Sequence, residues 1–267
     1  LKKVIPTGSN LYLEIDLIKL KNFFLKYGSN FVLKLIFQEL KKIIGKNGNL
    51  IVPAFSYSWG DDKRNKIFKI KQTRPETGIF PNYLLNKSGV IRTKDPMFSF
   101  LIFGKNKNKL KNIGNSSFGK KSLYEKINNN KTYLVSFGLN KFDPTFVHYV
   151  EEYFDRNFEK INYKFLKKFS GFFERKSSKK KHFFCFARNL KLNKFFDEKN
   201  IKSKLMKKKQ LKKIIFNGFD VYITKAPFFF KAGIEGMKKN INFFVKKMKI
   251  KKENLADRFK KIVHKNR

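Results

Sequence analysis

Hydrophobic and polar positions alternate over Leu11-Tyr12-Leu13-Glu14-Ile15-Asp16-Leu17, the period of a strand and its exit. Over residues 30–44 the period lengthens to that of a helix. Val32, Ile36, Glu39, Leu40 and Ile43 support its buried stripe, and Phe31, Leu35, Gln38 and Lys42 mark one edge. Gly45 stands where a helix C-cap is wanted, Asn47-Gly48 supplies a turn, and Asn49-Leu50-Ile51-Val52-Pro53 is a short apolar strand stopped by proline. Strand, helix, turn and strand in this order form a βαβ pattern, which predicts parallel strands covered by helices.

Residues 56–72 are polar and irregular and hold the only tryptophan, Trp59. They predict a long excursion of the kind that often carries function. A helix is expected over residues 78–86, and buried strands over 100–104 and 131–138. The lysine- and phenylalanine-rich remainder predicts strands at 181–189 and 219–225 and helix over 240–265. No internal repeat and no apolar-poor linker divides the chain, so residues 1–267 read as a single domain with an elaborated part from about residue 160.

Hydrophobic residues make up 41% of the 267, enough for a substantial core. No apolar run approaches the ~20 residues that span a bilayer. The opening Leu1-Lys2-Lys3-Val4-Ile5-Pro6 lacks an apolar run followed by a cleavage site, so no signal peptide and no membrane partner is expected. The single Cys185, within Phe183-Phe184-Cys185-Phe186-Ala187, excludes an intrachain disulfide framework and reads as a buried small hydrophobe. A cytoplasmic location is the most economical reading.

The formal charge of +42 creates a field that attracts polyanions. Its lysines, however, are spread along the chain among Asn, Phe and Ile, all residues with AT-rich codons, so compositional drift accounts for them. The dense runs at 176–181 and 207–213 read as solvated faces. A basic nucleic-acid-binding protein is the alternative from another class, since 16% aromatic content suits base stacking. No recognisable nucleic-acid module accompanies it, and no specific nucleic acid is expected. Phosphate-binding glycine loops are absent, and no His/Cys/Asp cluster has zinc spacing, so no metal is expected.

Of three histidines, at 148, 182 and 264, only His148 has acidic residues one helical turn away, Glu151 and Glu152. An imidazole oriented by a carboxylate is a general-base arrangement. The bland reading of the same residues is a capped helix start, with Asp143 as N-cap, Pro144 at the first position and His148 partly buried.

Four segments in order resemble the aminoglycoside N3-acetyltransferase family. Leu40-Lys41-Lys42-Ile43-Ile44-Gly45 and then Gly48 to Ser56 resemble its helix, glycine, strand and Pro-Thr-Phe element. Gly89-Val90-Ile91-Arg92-Thr93-Lys94-Asp95-Pro96-Met97-Phe98-Ser99 is similar to its Gly-Val-Val-Arg-Ser-x-His-Pro-x-His-Ser segment. Ser117-Phe118-Gly119 with Ser122-Leu123-Tyr124 resembles its Pro-Phe-Gly-x-x-Ser-Pro turn. The strand at 133–138 with Thr145-Phe146-Val147-His148-Tyr149-Val150-Glu151 resembles its Thr-x-x-His-x-x-Glu site.

The resemblance implies a three-layer α/β/α fold with a mixed sheet, distinct from the GNAT acetyltransferases. It implies acetyl transfer from acetyl-CoA to an amine of an aminoglycoside or amino sugar, a small-molecule acceptor, and is compatible with a homodimer. By the same resemblance His148 is the base and Glu151 orients it. Glu14, Ile15, Asp16, Pro53, Phe55, Ser56 and Ser99 line the cofactor path, and Asp61, Asp62, Asp95 and Phe98 meet the acceptor. The chain departs from the family at Glu14 and Ile15, which replace a His-Ser pair, and at Asp95 and Phe98, which replace two histidines. A family-derived binder without catalysis is therefore a third reading. A +42 chain also repels cationic antibiotics, which makes a nucleotide-linked or phosphorylated amino sugar the easier acceptor.

Overall fold

Leu11 and Leu13 point to one side of the first strand and Tyr12 to the other, and that alternation organises the molecule. The computed structural model describes residues 1–60, 66–139, 141–173, 179–216 and 218–247. In chain order the strands are β1 (Asn10–Ile15), β2 (Asn49–Pro53), β3 (Ile91–Arg92), β4 (Phe100–Gly104), β5 (Thr132–Phe137), β6 (Lys164–Gly171), β7 (Lys181–Arg188), β8 (Lys194–Phe196), β9 (Leu211–Phe216), β10 (Phe219–Lys225) and β11 (Val245–Lys247). The helices are α1 (Lys21–Tyr27), α2 (Ser29–Ile44), α3 (Ile79–Leu84), α4 (Lys107–Lys111), α5 (Leu123–Ile127), α6 (Val147–Asn157), α7 (Lys199–Lys207) and α8 (Ala226–Lys239).

The main sheet runs β3-β4-β2-β1-β5-β10-β9. At its centre β1 lies parallel to both β2 and β5, as the βαβ pattern predicts. The flanking strands β4, β3, β10 and β9 join antiparallel, so the sheet is mixed. One face carries Leu11, Leu13, Leu50, Val52, Leu101 and Val135, covered by Leu33, Phe37, Leu40 and Ile44 of α2 and Phe80 and Leu84 of α3. The other carries Tyr12, Ile51, Ile102, Leu134 and Tyr222, covered by α5, α6, α7 and α8 through Tyr124, Val150, Leu205 and Phe229. Strands buried on both faces read as continuous apolar runs, which is why β2 and β4 were legible and three layers result. The hairpin of β6 and β7 stands outside this sheet.

Several expectations are corrected. The buried stripe of α2 is Val32, Leu33, Phe37, Leu40, Ile43 and Ile44: Val32, Leu40 and Ile43 are buried as expected, but Ile36 is only half-buried and Glu39 is exposed. Glu39 instead pairs with Lys42 on the solvent side at 2.5 Å. Helix α6 starts at Val147, and neither Asp143 nor any other side chain caps it. Residues 240–247 are not helical: Asn242 N–H donates to Asn240 Oδ1 (2.9 Å) in a side-chain-closed turn, and β11 follows. Phe243 and Phe244 then pack on α8, where a Cβ at Gly236 would lie 2.6 Å from the Phe243 ring and one at Gly233 2.7 Å from that of Phe244. Residues 248–265 lie outside the described residues. Among the described residues no helix is long and apolar enough to cross a membrane.

Candidate active site

The carboxyl ends of β1, β2 and β5 open on a cavity of about 510 Å³. This is the place where open α/β sheets bind ligands. Its wall combines apolar Leu13, Ile15, Val52, Pro53 and Phe55 with Glu14, Asp16, Asp143 and Thr145. The structure thus brings five of the expected cofactor-path residues to one cleft: Glu14, Ile15, Asp16, Pro53 and Phe55. Ser56 and Ser99 do not line it. Ser56 Oγ donates to the Pro96 carbonyl at 2.8 Å. Ser99 Oγ, fully buried, donates to the Ala54 carbonyl at 2.6 Å and accepts from Arg92 Nε at 2.9 Å.

Glu14 ties the cleft to the helix behind it. Its Oε1 accepts from the Tyr12 hydroxyl at 2.8 Å and from the Thr145 backbone N–H at 2.8 Å. Burial pushes the Glu14 carboxyl up to about 7, against the lowering effect of those two donors.

Two residues beyond Thr145, α6 presents His148 and Glu151 on one face. His148 Nδ1 lies 3.0 Å from Glu151 Oε2, and the Glu151 side chain is 2% exposed against 24% for the ring. Among the described residues nothing hydrogen-bonds His148 Nε2. With the ring proton on Nδ1 and donated to Glu151, the lone pair on Nε2 is free to accept a proton. Burial first, and then the nearby Lys164 ammonium, lower the ring to about 4, opposed by Glu151. Burial alone would raise Glu151, but Lys164 and His148 hold it down to about 2. Glu152, the other acid of the pair read from sequence, turns away: Ser116 Oγ donates to its Oε1 at 3.5 Å.

His148 is not itself part of the cavity wall. A row of rings joins the two: Phe55 to Phe98 (centroids 5.0 Å), Phe98 to Phe118 (4.7 Å) and Phe118 to His148 (5.0 Å). Phe98 therefore belongs to an aromatic row that runs from the cleft wall to the base. Asp95 is buried, and its Oδ1 accepts from the N–H groups of Met97 (2.8 Å) and Phe98 (2.9 Å), closing the turn that sets Phe98 in place. Asp61 and Asp62 lie outside the described residues.

A family model for aminoglycoside 3-N-acetyltransferase matches residues 27–237. The chain belongs to this family. The match begins at the end of α1 and runs into α8, so it takes in most of the lysine-rich part from about residue 160. No curated protein matches the sequence. Among solved structures, aminoglycoside acetyltransferase AAC(3)-IIb superposes with TM-score 0.72 at 14% identity, covering 89% of this chain and 93% of that one. AAC-IIIb, solved as a binary complex with CoASH, gives 0.70 at 14%, covering 88% and 92%. The YokD protein from Bacillus subtilis gives 0.67 at 14%, covering 89% and 95%. The α/β fold of the aminoglycoside 3-N-acetyltransferases is thereby established for this chain.

Sequence reasoning missed Lys164. It is the only buried lysine among the described residues, with Nζ 2.5 Å from Glu151 Oε2 and 2.6 Å from His148 Nδ1. Among 62 basic residues, nothing in Tyr163-Lys164-Phe165-Leu166-Lys167-Lys168 marks it. Its partner is fixed only by the packing of β6 against α6.

Proposed function

We propose that the chain is a CoA-dependent N-acetyltransferase that acetylates an amine of an aminoglycoside or amino sugar, with His148 as base and Glu151 as its orienter. The observation that carries this reading is the His148 Nδ1 to Glu151 Oε2 contact at 3.0 Å, with Nε2 unpaired among the described residues. Family membership supplies the reaction class, and a relative solved with CoASH supports acetyl-CoA as donor. The apolar part of the cleft wall, Leu13, Ile15, Val52, Pro53 and Phe55, suits the slender arm of a CoA thioester. Its acids Glu14, Asp16 and Asp143 suit the amine side, and they offset the repulsion that a +42 chain imposes on a cation. A nucleotide-linked or phosphorylated amino sugar is the acceptor class best matched to the surrounding field.

The neutral amine attacks the thioester carbonyl, forming the N–C bond. As that bond forms the nitrogen becomes strongly acidic, and its proton passes to His148 Nε2. The tetrahedral intermediate then collapses, the C–S bond breaks, and the leaving thiolate takes a proton from the imidazolium. A ring held near 4 is too weak a base to deprotonate a free ammonium, so its work comes after attack has begun.

The test is amine-dependent release of CoA thiol from acetyl-CoA by the purified chain. His148→Ala should remove nearly all of it; turnover that survives this substitution eliminates the assigned base. The ring of Phe98 beside Phe118 favours the binder without catalysis as second reading. Calorimetry with acetyl-CoA separates the two, because a collapsed cofactor path shows no binding.

A further inference from the structure

We propose that Lys164 is the third member of the His148–Glu151 pair, a positioning residue whose ammonium shares the buried carboxylate and keeps the ring neutral. This rests on the reading of His148 as the base. Its ground is the triangle of Lys164 Nζ, Glu151 Oε2 and His148 Nδ1, with edges of 2.5, 2.6 and 3.0 Å. Lys164 and Glu151 side chains are each 2% exposed, so solvent does not screen their charges.

One carboxylate here serves two donors. If Lys164 neutralises it, little negative charge remains to stabilise an imidazolium, whose positive charge would stand beside the ammonium at 2.6 Å. In the neutral ring the proton can sit on Nδ1 and be donated to Glu151 Oε2, 3.0 Å away. That proton placement leaves Nε2 as the basic nitrogen. Other groups around the triangle do not reverse the balance. Arg188 on β7 adds a second positive charge, which also lowers the ring. Tyr163, just before β6, is pushed up by its burial and by Glu151, and the Cys185 thiol on β7 is pushed up by burial, so both are neutral. Glu152 is raised by burial to about 7, which weakens it as a counter-charge near neutrality, and Asp143 is raised by burial from its ordinary value.

The consequence is a base available far into acid. Burial and the Lys164 charge act in the same direction on the ring, and the variant series below separates them.

Imidazole titration by proton NMR on the full chain tests this without reference to turnover. Only three histidines are present, and His148→Gln assigns the signal of interest. The wild-type ring should titrate at least about one unit below the ordinary 6.5. Lys164→Met should raise its midpoint by about one unit or more, and Lys164→Arg should keep it near wild type. The acid limb of kcat/KM should move with the midpoint. A wild-type midpoint at or above 6.5 overturns the inference, as does a folded Lys164→Met protein with an unmoved midpoint. Lys164→Met leaves Glu151 buried without its cation and can fail to fold. In that case Glu151→Gln is compared with the Glu151→Gln, Lys164→Met double variant, and equal midpoints overturn the inference. If the wild-type chain releases no CoA in an amine-dependent way while the midpoints move as stated, the enzymatic reading fails and the effect of Lys164 on the ring stands. If turnover depends on His148 but neither midpoint nor acid limb follows Lys164, the reverse holds.

Discussion

Glu14 Oε1 and the Thr145 backbone N–H meet at 2.8 Å, so the end of the first strand holds the turn that leads into the His148 helix. That turn has no side-chain cap of its own, and Glu14 takes the place of one from 131 positions away. The same carboxyl lines the cleft, so any ligand that contacts it also touches the support of the base.

This coupling predicts a pH-dependent stability. The Glu14 carboxyl is raised from 4.5 to about 7 in the folded chain, so between those values the folded state holds a proton that the unfolded state has lost. Stability should therefore fall as pH rises from 4.5 through 7 and level off above, with Glu14 contributing about 3 kcal/mol of the fall. Glu14→Gln keeps an oxygen to accept from Thr145 and Tyr12 but has no proton to lose. Urea unfolding should show it flatter across this range and more stable than wild type at pH 8. Glu152, also raised to about 7, leaves a residual slope. A wild-type slope carried over unchanged into Glu14→Gln removes Glu14 from this role.

The His148 pair predicts two separable losses. His148→Ala should lower the rate of acetyl transfer by about 10²–10⁴ while leaving the unfolding midpoint nearly unchanged, because the ring is partly exposed. Glu151→Gln should lower the rate and also destabilise the chain by about 3 kcal/mol, since it strands the Lys164 ammonium in the interior. Glu151 is held down to about 2, so the stability it supplies is full above 4.5 and is lost as pH falls toward 2. Steady-state rates and urea unfolding of both variants check this, and equal stability of the two would remove Lys164 from the pair.

The parts legible in the sequence share a physical cause. Apolar runs such as Leu50 to Val52 and Phe100 to Ile102 are buried on both faces, and their composition alone announces central strands. His148 and Glu151 stand one turn apart on a single helix, where spacing fixes geometry. Helix α8 was not foreseen, because its phenylalanines and small residues lack a clean polar face and its glycines are explained only by Phe243 and Phe244. Ser99 looks like a site residue in its motif, yet tertiary packing turns its hydroxyl to Arg92 and Ala54. Lys164 was invisible for the converse reason: it is one lysine among many, distinguished only by what lies opposite.

Arg92 shows how the same motif serves structure. Its guanidinium donates to Ser99 Oγ (2.9 Å) and to the carbonyls of Ala54 (2.7 Å), Thr73 (2.5 Å) and Ile70 (3.3 Å), joining β2, β3 and the excursion after β2. Lysine has a single ammonium and cannot span these acceptors. Arg92→Lys should lower unfolding free energy by about 3 kcal/mol while leaving the His148 imidazole titration at its wild-type midpoint. A shifted midpoint would show that the motif reaches the base after all.

The +42 charge makes its own prediction. Apart from Lys164, none of the described lysines is buried, so their charge faces solvent. A solvent-facing field of this kind binds phosphates by releasing counterions, without reading bases. Filter binding to duplex DNA should give affinity at 50 mM salt that falls by about 10³ or more at 200 mM, equally for unrelated sequences. Saturating DNA should leave amine-dependent CoA release unaffected at 200 mM salt. Binding that survives salt and prefers one sequence by more than about tenfold would give the lysines a recognition role and restore the nucleic-acid reading.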